Sequence, residues 1–244
     1  MDDDAPEPPP ARQERYGPLV HRSVRHGAIL WIVGVLIFVV GMAVTQYGYG
    51  PPTYSLTANY ISDLGAMHCA PLAGHGTTGY VCSPWHLAFN ATIVVMGLLL
   101  LLGIVLIRTG FPPRSARTIG LILLALAGIG AIGVGLNPED VRPSIHILSA
   151  AIAFIGGNLA LIVLGFAMFR DTRWDGYRAY TMLSGLVGLI ALILFELKAY
   201  GPIGVGGMER LIVAPLLLWA VVVSIHLVRL PTYAAPRGLP GTSG

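Results

Sequence analysis

The sequence predicts an all-α polytopic membrane protein, a bundle of six transmembrane helices, and two observations carry that prediction. The chain is 55% hydrophobic and only 11% charged, against roughly a quarter charged residues in ordinary soluble domains. Its apolar residues also come in runs rather than in periodic stripes. Six runs are long enough to cross a hydrocarbon core about 30 Å thick as helices: Ala28 to Gln46, His86 to Ile107, Ala116 to Leu136, His146 to Phe169, Arg178 to Tyr200, and Met208 to Val228. Helices are required because a spanning segment in lipid must satisfy its own backbone hydrogen bonds.

The basic residues orient the bundle. Threading six spans puts twelve arginines on one side: Arg12, Arg15, Arg22, Arg25, Arg108, Arg114, Arg117, Arg170, Arg173, Arg178, Arg229 and Arg237. Arg142, Lys198 and Arg210 fall on the other. Positive charge collects on the cytoplasmic side, so both termini are expected in the cytoplasm of a multi-pass cell-membrane protein. The net charge of +3 follows topology and is no sign of a nucleic-acid partner.

Residues 1–27 run acidic, then Pro-rich, then basic, without a cleavable signal peptide. The first apolar run is expected to serve as an uncleaved anchor. This tail and the Pro- and Gly-containing tail from 229 to 244 are too poor in apolar residues to bury a core and are expected to be disordered. The membrane domain is expected to span 28–228.

Between the first two spans, residues 47–85 form the one extended loop, which contains no Lys or Arg. Within "LTANYISDLGAM", Leu56, Tyr60 and Leu64 recur at i, i+4, i+8, with Thr57 placed to cap and Gly65 to terminate. These signals predict a short helix lying on the outer surface or dipping slightly into it. The same loop holds Cys69 and Cys82, which are either bridged, stabilising by about 3 kcal/mol, or two free thiols. Among the spans, the third carries Gly128, Gly130, Ala131, Gly133 and Gly135, and the fourth Gly156 and Gly157. Small residues let helices approach closely in lipid, which predicts tight packing of spans three and four. Asn158 near mid-span is expected to bond a neighbouring helix, and no span is expected to be broken at mid-depth by Pro.

The stretch "GVGLNPEDVRPSIHILSA" joins two spans with a connector too charged for a mere turn. With the expected topology, the outer ends of the spans collect Asp63, His68, His75, His86, Asn90, Glu139, Asp140, Arg142, His146, Glu196, Lys198, Glu209 and Arg210. Ionisable groups at such depth are expensive and are paired or functional. His86 and Asn90, four apart, share a helix face, and His146 lies at similar depth on another. Two chemistries are open. Asp63, His86 and His146, with Glu139 as an alternative carboxylate, could ligate a divalent metal such as zinc. Otherwise a carboxylate and a histidine could act as acid and base on a lipid ester or phosphate, with Arg142 or Arg210 holding the headgroup. Ser62, Asn90, Glu139, Glu196 and Glu209 would line the same polar site. The competing view makes His86 and His146 interfacial caps, and more so His68 and His75, with Glu139 and Arg142 a solvated ion pair. Asp140 is the weakest candidate of the connector.

"YISDLGA" from Tyr60, "WHLAFNATIVVMGLLLL" from Trp85, "GLNPEDVRPSIHILSA" from Gly135 and the acidic start of the last span resemble the prokaryotic membrane family called domain of unknown function 998. The resemblance covers nearly the whole chain from span one to span six. It implies a six-helix integral membrane protein of bacteria or archaea without an assigned activity, and it points to Ser62, Asp63, His86, Asn90 and His146. The chain is also distantly similar to the superfamily of alkaline ceramidases and progestin and adiponectin receptors. Those proteins combine Ser, Asp and His in a metal-dependent amide hydrolase site, but typically have seven spans and a paired histidine motif in the last. Here span six has only His226, at its other end.

Three functions therefore compete. The first is a protein that binds a lipid or a membrane partner, a second copy included; the second is a lipid hydrolase or transferase using Asp63, His86 and His146. Transport is disfavoured because no charged residue lies near mid-span. The orientation has a direct check: a membrane-impermeant thiol reagent added outside cells should label Val141→Cys and miss Ser115→Cys, and the reverse pattern would invert the topology.

Overall fold

The computed structural model describes residues 22–230. Most of the tails expected to be disordered therefore lies outside the described residues. The exceptions are Arg22 to Gly27, which form the first turns of a helix, and Arg229 and Leu230, which end and follow one. Six long helices follow in chain order: α1 (Arg22–Tyr47), α2 (His86–Ile107), α3 (Ser115–Leu136), α4 (Pro143–Ala167), α5 (Tyr177–Glu196) and α6 (Gly204–Arg229). Each is long and apolar enough to cross a membrane, and the protein is a multi-pass all-α bundle.

Each helix packs on its neighbour in sequence, and α6 returns to α1, so the bundle closes into a ring. Short connections favour this antiparallel arrangement. Alternating spans place the 48–85, 137–142 and 197–203 connections at one end, here the loop face. Both ends of the described chain lie at the other, the terminal face. Direct contact between α4 and α6 inside the ring sets α5 towards the periphery.

The α3–α4 seam is tight. A Cβ on Gly130 would come within 2.6 Å of the Ser149 carbonyl oxygen and of the Ala153 nitrogen, both backbone atoms that no rotamer change can move. Near the terminal face, the core is built from Trp31, Trp219, Phe111 and Trp174, all buried. The Trp31 and Trp219 rings lie 5.7 Å apart, and Phe111 stacks on Trp174 at 5.0 Å. Two of the indoles find acceptors, Trp31 on the Leu100 carbonyl and Trp219 on Thr181, as buried N–H groups require. Deeper towards mid-bundle, the Asn158 amide donates to the Ile212 carbonyl of α6.

Two elements differ from the sequence expectation. The last helix starts before Met208, with the segment "GVGG" as the first turn of α6, where the Gly206 N–H donates to the Thr57 carbonyl at 2.9 Å. A Cβ there would lie 2.1 Å from the Asn59 carbonyl oxygen. The helix expected after Thr57 is reduced to a single 3₁₀ turn, Ser62–Gly65. It does not lie on the surface: Asp63, Leu64 and Gly65 are buried and plug the loop-face mouth of the ring, because partners there satisfy polar groups that a surface helix would have left to water. As expected, no described span is broken at mid-depth: α6 runs through Pro215, which removes one N–H from its ladder without ending the helix.

Replacing Gly130 by Leu should destabilise the protein by about 1–3 kcal/mol or more through overpacking, read as a lower thermal midpoint in detergent. Leu126→Ala, on the exposed side of the same helix, should shift it little.

Candidate functional site

The site is built on the 48–85 loop after that loop has been fastened to α6. Glu209, buried in the first turns of α6, accepts the Ile61 N–H at 2.5 Å. Arg210 donates to the carbonyls of Leu56 and Asn59, both at 3.1 Å, and to the hydroxyl of Tyr54. Its guanidinium also lies over the Tyr54 ring. From α2, the Asn90 amide donates to the Gly65 carbonyl at 2.9 Å, and Ser83 donates to the carbonyl of Leu64 at 2.7 Å. The distal part of the loop is a small hairpin, Ala70–Pro71 against Tyr80–Val81, closed at its base by a disulfide between Cys69 and Cys82.

Folded this way, the loop drives Asp63 to zero exposure. Its two oxygens are answered separately. Oδ2 accepts the Asn59 amide at 2.6 Å, and Oδ1 lies 2.6 Å from His75 Nδ1. His75 reaches inward from a turn flanked by Gly74 and Gly76, both at positive φ, with its ring 4.5 Å from that of Tyr60. Glu139, from the α3–α4 connector, completes the group: its Oε1 stands 3.6 Å from the same His75 nitrogen. One ligand-type atom from each of Asp63, His75 and Glu139 lies within 4.8 Å of the others.

The electrostatics of this cluster are unbalanced. Glu139 is nearly enclosed, with a side chain 10% exposed, and its Oε1 has no hydrogen-bond partner. Burial first, and then the neighbouring Asp63 carboxylate, hold its pKa well above the ordinary glutamate range, against the lowering effect of the Ser62 hydroxyl. Burial similarly pushes the Tyr60 phenol up to about 12, with Tyr200, Glu209, Asp63 and Glu139 adding to the effect. Tyr54 and Tyr49 are also raised, chiefly by burial.

Asp140 has a different task. Its carboxylate accepts the backbone N–H groups of Met67 and His68 and faces His68 Nδ1 at 2.8 Å. Burial alone would raise its pKa, but these donors outweigh it and the net shift is downward. The weakest candidate of the connector thus clamps the hairpin's root.

The remaining sequence candidates separate. His146 is buried and donates Nδ1–H to the Asn137 carbonyl at 2.8 Å, leaving Nε2 as its acceptor. His86 donates Nδ1–H to the Ser83 carbonyl at 2.9 Å, three residues back across the start of α2. Among the described residues, neither joins Asp63 in a three-ligand group; His75 and Glu139 do. Arg142 is exposed and bonds Asn137 at 3.3 Å rather than pairing with Glu139, and Glu196 is exposed at the end of α5. His75 and Asn59 are the residues that sequence reasoning undervalued. The available signals were the four-residue Asn59 to Asp63 spacing and a histidine set between two glycines.

Below the plug the ring encloses a cavity of about 110 Å³. Ser62, His146 and Glu209 line it, together with Phe38, Phe89, Leu124, Ala150, Val213, Trp31 and Trp219, whereas no residue of α5 does. Ser62 thus borders both the cavity and the carboxylate cluster.

A family model described as "Protein of unknown function (DUF998)" matches residues 32–226. The chain belongs to this family. Its matched span runs from α1 nearly to the end of α6 and includes every residue of the site. Neither the curated proteins nor the solved structures contain a match to the chain.

Removing the Arg210 guanidinium should free the plug. Arg210→Ala loses charge-assisted bonds of about 1.5–3 kcal/mol each, so limited proteolysis should cut the 48–85 loop and the thermal midpoint should fall, whereas Arg142→Ala should change neither.

Proposed function

We propose that the protein binds an amphiphile, a membrane lipid or lipid-linked molecule, with its apolar portion inside the helix ring and its headgroup at the loop-face mouth. The observation that carries this is the gradient along the cavity, from Ser62, His146 and Glu209 at the mouth to Trp31, Leu124 and Trp219 within. At about 110 Å³, it is comparable to the engineered apolar cavity of ~150 Å³ that stays dry and takes a benzene-sized guest. A section of acyl or prenyl chain suits such a space better than a polar metabolite, because burying a polar group there without partners is costly. The arginine distribution further supports placing the loop face outside the cytoplasm, so the ligand would enter from the outer leaflet.

A second reading, hydrolysis or group transfer on that lipid, has its own support in the Asp63–His75 pair. Asp63 orients the imidazole through Nδ1, as an orienting carboxylate does for a general base, and the Glu139 carboxyl is held towards its protonated form nearby. Binding and turnover can be separated experimentally. Native mass spectrometry of protein extracted with its lipids should show a retained lipid, and Ala150→Phe or Val213→Phe, which fill the cavity, should remove it. Retention unchanged in both variants would exclude the cavity. Headgroup release from bound lipid that disappears in His75→Gln would favour the enzyme.

A further inference from the structure

We propose that Asp63, His75 and Glu139 form a three-ligand site for a divalent first-row transition metal ion, next to Ser62 at the mouth of the cavity. This deepens the amphiphile reading by naming what would hold the headgroup, but ion binding does not require a lipid.

Four observations converge. The ligand-type atoms of the three side chains lie within 4.8 Å of one another, a separation that one ion placed between them would bridge with bonds of about 2.0–2.2 Å after small adjustments. Glu139 Oε1 is buried, points at His75 from 3.6 Å, and has no hydrogen-bond partner. A buried acceptor without a donor is rare and calls for an explanation, and a cation between it and His75 supplies one. The local charge also lacks a fixed counterpart: the loop contains no Lys or Arg, Arg142 bonds Asn137, and Arg210 is occupied with Leu56, Asn59, Gly206 and Tyr54.

The surroundings provide the fourth. Metal-binding carboxylates are held by outer hydrogen bonds that leave one oxygen for the ion. Asn59 holds Asp63 Oδ2, leaving Oδ1 on the His75 side. An imidazole nitrogen in the donor set favours a first-row transition ion over magnesium or calcium, which take all-oxygen shells. Three protein ligands also leave a coordination position for water or a headgroup oxygen, as in sites where a metal acts on a substrate.

The test is metal binding by the full-length chain purified in detergent, stripped with chelator and titrated calorimetrically with zinc chloride alone. One equivalent should bind per chain, with magnesium and calcium failing to compete at equal concentration. Because losing an outer-shell partner already weakens metal sites 10–100-fold, Asp63→Asn, His75→Gln and Glu139→Gln should each weaken zinc by about 100-fold or more. His68→Ala, altering the loop histidine bound to Asp140, should leave it unchanged. Should a variant not fold, the wild-type chain decides by itself: zinc must shield His75 from diethylpyrocarbonate, read by peptide mass spectrometry, while His68 stays reactive. Absence of stoichiometric zinc binding, binding undiminished in the three folded variants, or His75 modified equally with and without zinc would overturn the proposal. Lipid retention is measured without added metal and through Ala150→Phe, so failure of one idea leaves the other standing.

Discussion

The structure around the mouth depends on one constraint: a polar loop has been pushed into the end of an apolar ring, and each of its buried groups must find a partner there. Adjacent residues Glu209 and Arg210 meet most of that demand. The carboxylate takes the Ile61 N–H, and the guanidinium takes the carbonyls of Leu56 and Asn59. A buried charge without partners would be strongly destabilising, so the first turns of α6 and the plug stabilise one another. Asp63 can be fully enclosed only because this fastening brings Asn59 and His75 to its two oxygens.

The brief α3–α4 connector now has a physical account. Glu139 turns inward to the plug, and Asp140 clamps the hairpin root through Met67 and His68. His146 bonds back to Asn137 and fixes the entry to α4. Neighbouring acidic residues thus do opposite things. Asp140 collects donors and its carboxylate is favoured, whereas Glu139 is desolvated beside another carboxylate with an oxygen unanswered. That asymmetry separates a satisfied clamp from a buried carboxyl whose oxygen has no partner.

Helix packing sets the space beneath. Without water to expel between helices in lipid, close association relies on surface fit, and Gly130 against Ser149 and Ala153 shows how close α3 and α4 come. The contact between α4 and α6 then excludes α5 from the interior, so the cavity is bounded by the other five helices and closed above by Ile61 and Ser62. Residues 32–226 matched by the family model include all of these parts.

The sequence by itself determined the helix count, the class and the α3–α4 seam, because chain-length apolar runs and glycine density act locally and lipid leaves a spanning backbone few alternatives. It also placed Asp63, Glu139, Glu209 and Arg210 in one layer, since span ends share a depth. Only the tertiary structure decided which of that layer meet. His86 and His146 sit at favourable helical positions, yet each turns Nδ1 to a nearby backbone carbonyl, while His75, in a glycine-flanked turn without periodic pattern, reaches Asp63 twelve residues away. Helical spacing fixes which residues share a face, but the path of an irregular loop is set by the partners it finds at the mouth of the ring, and those partners come from α2, the α3–α4 connector and α6 together.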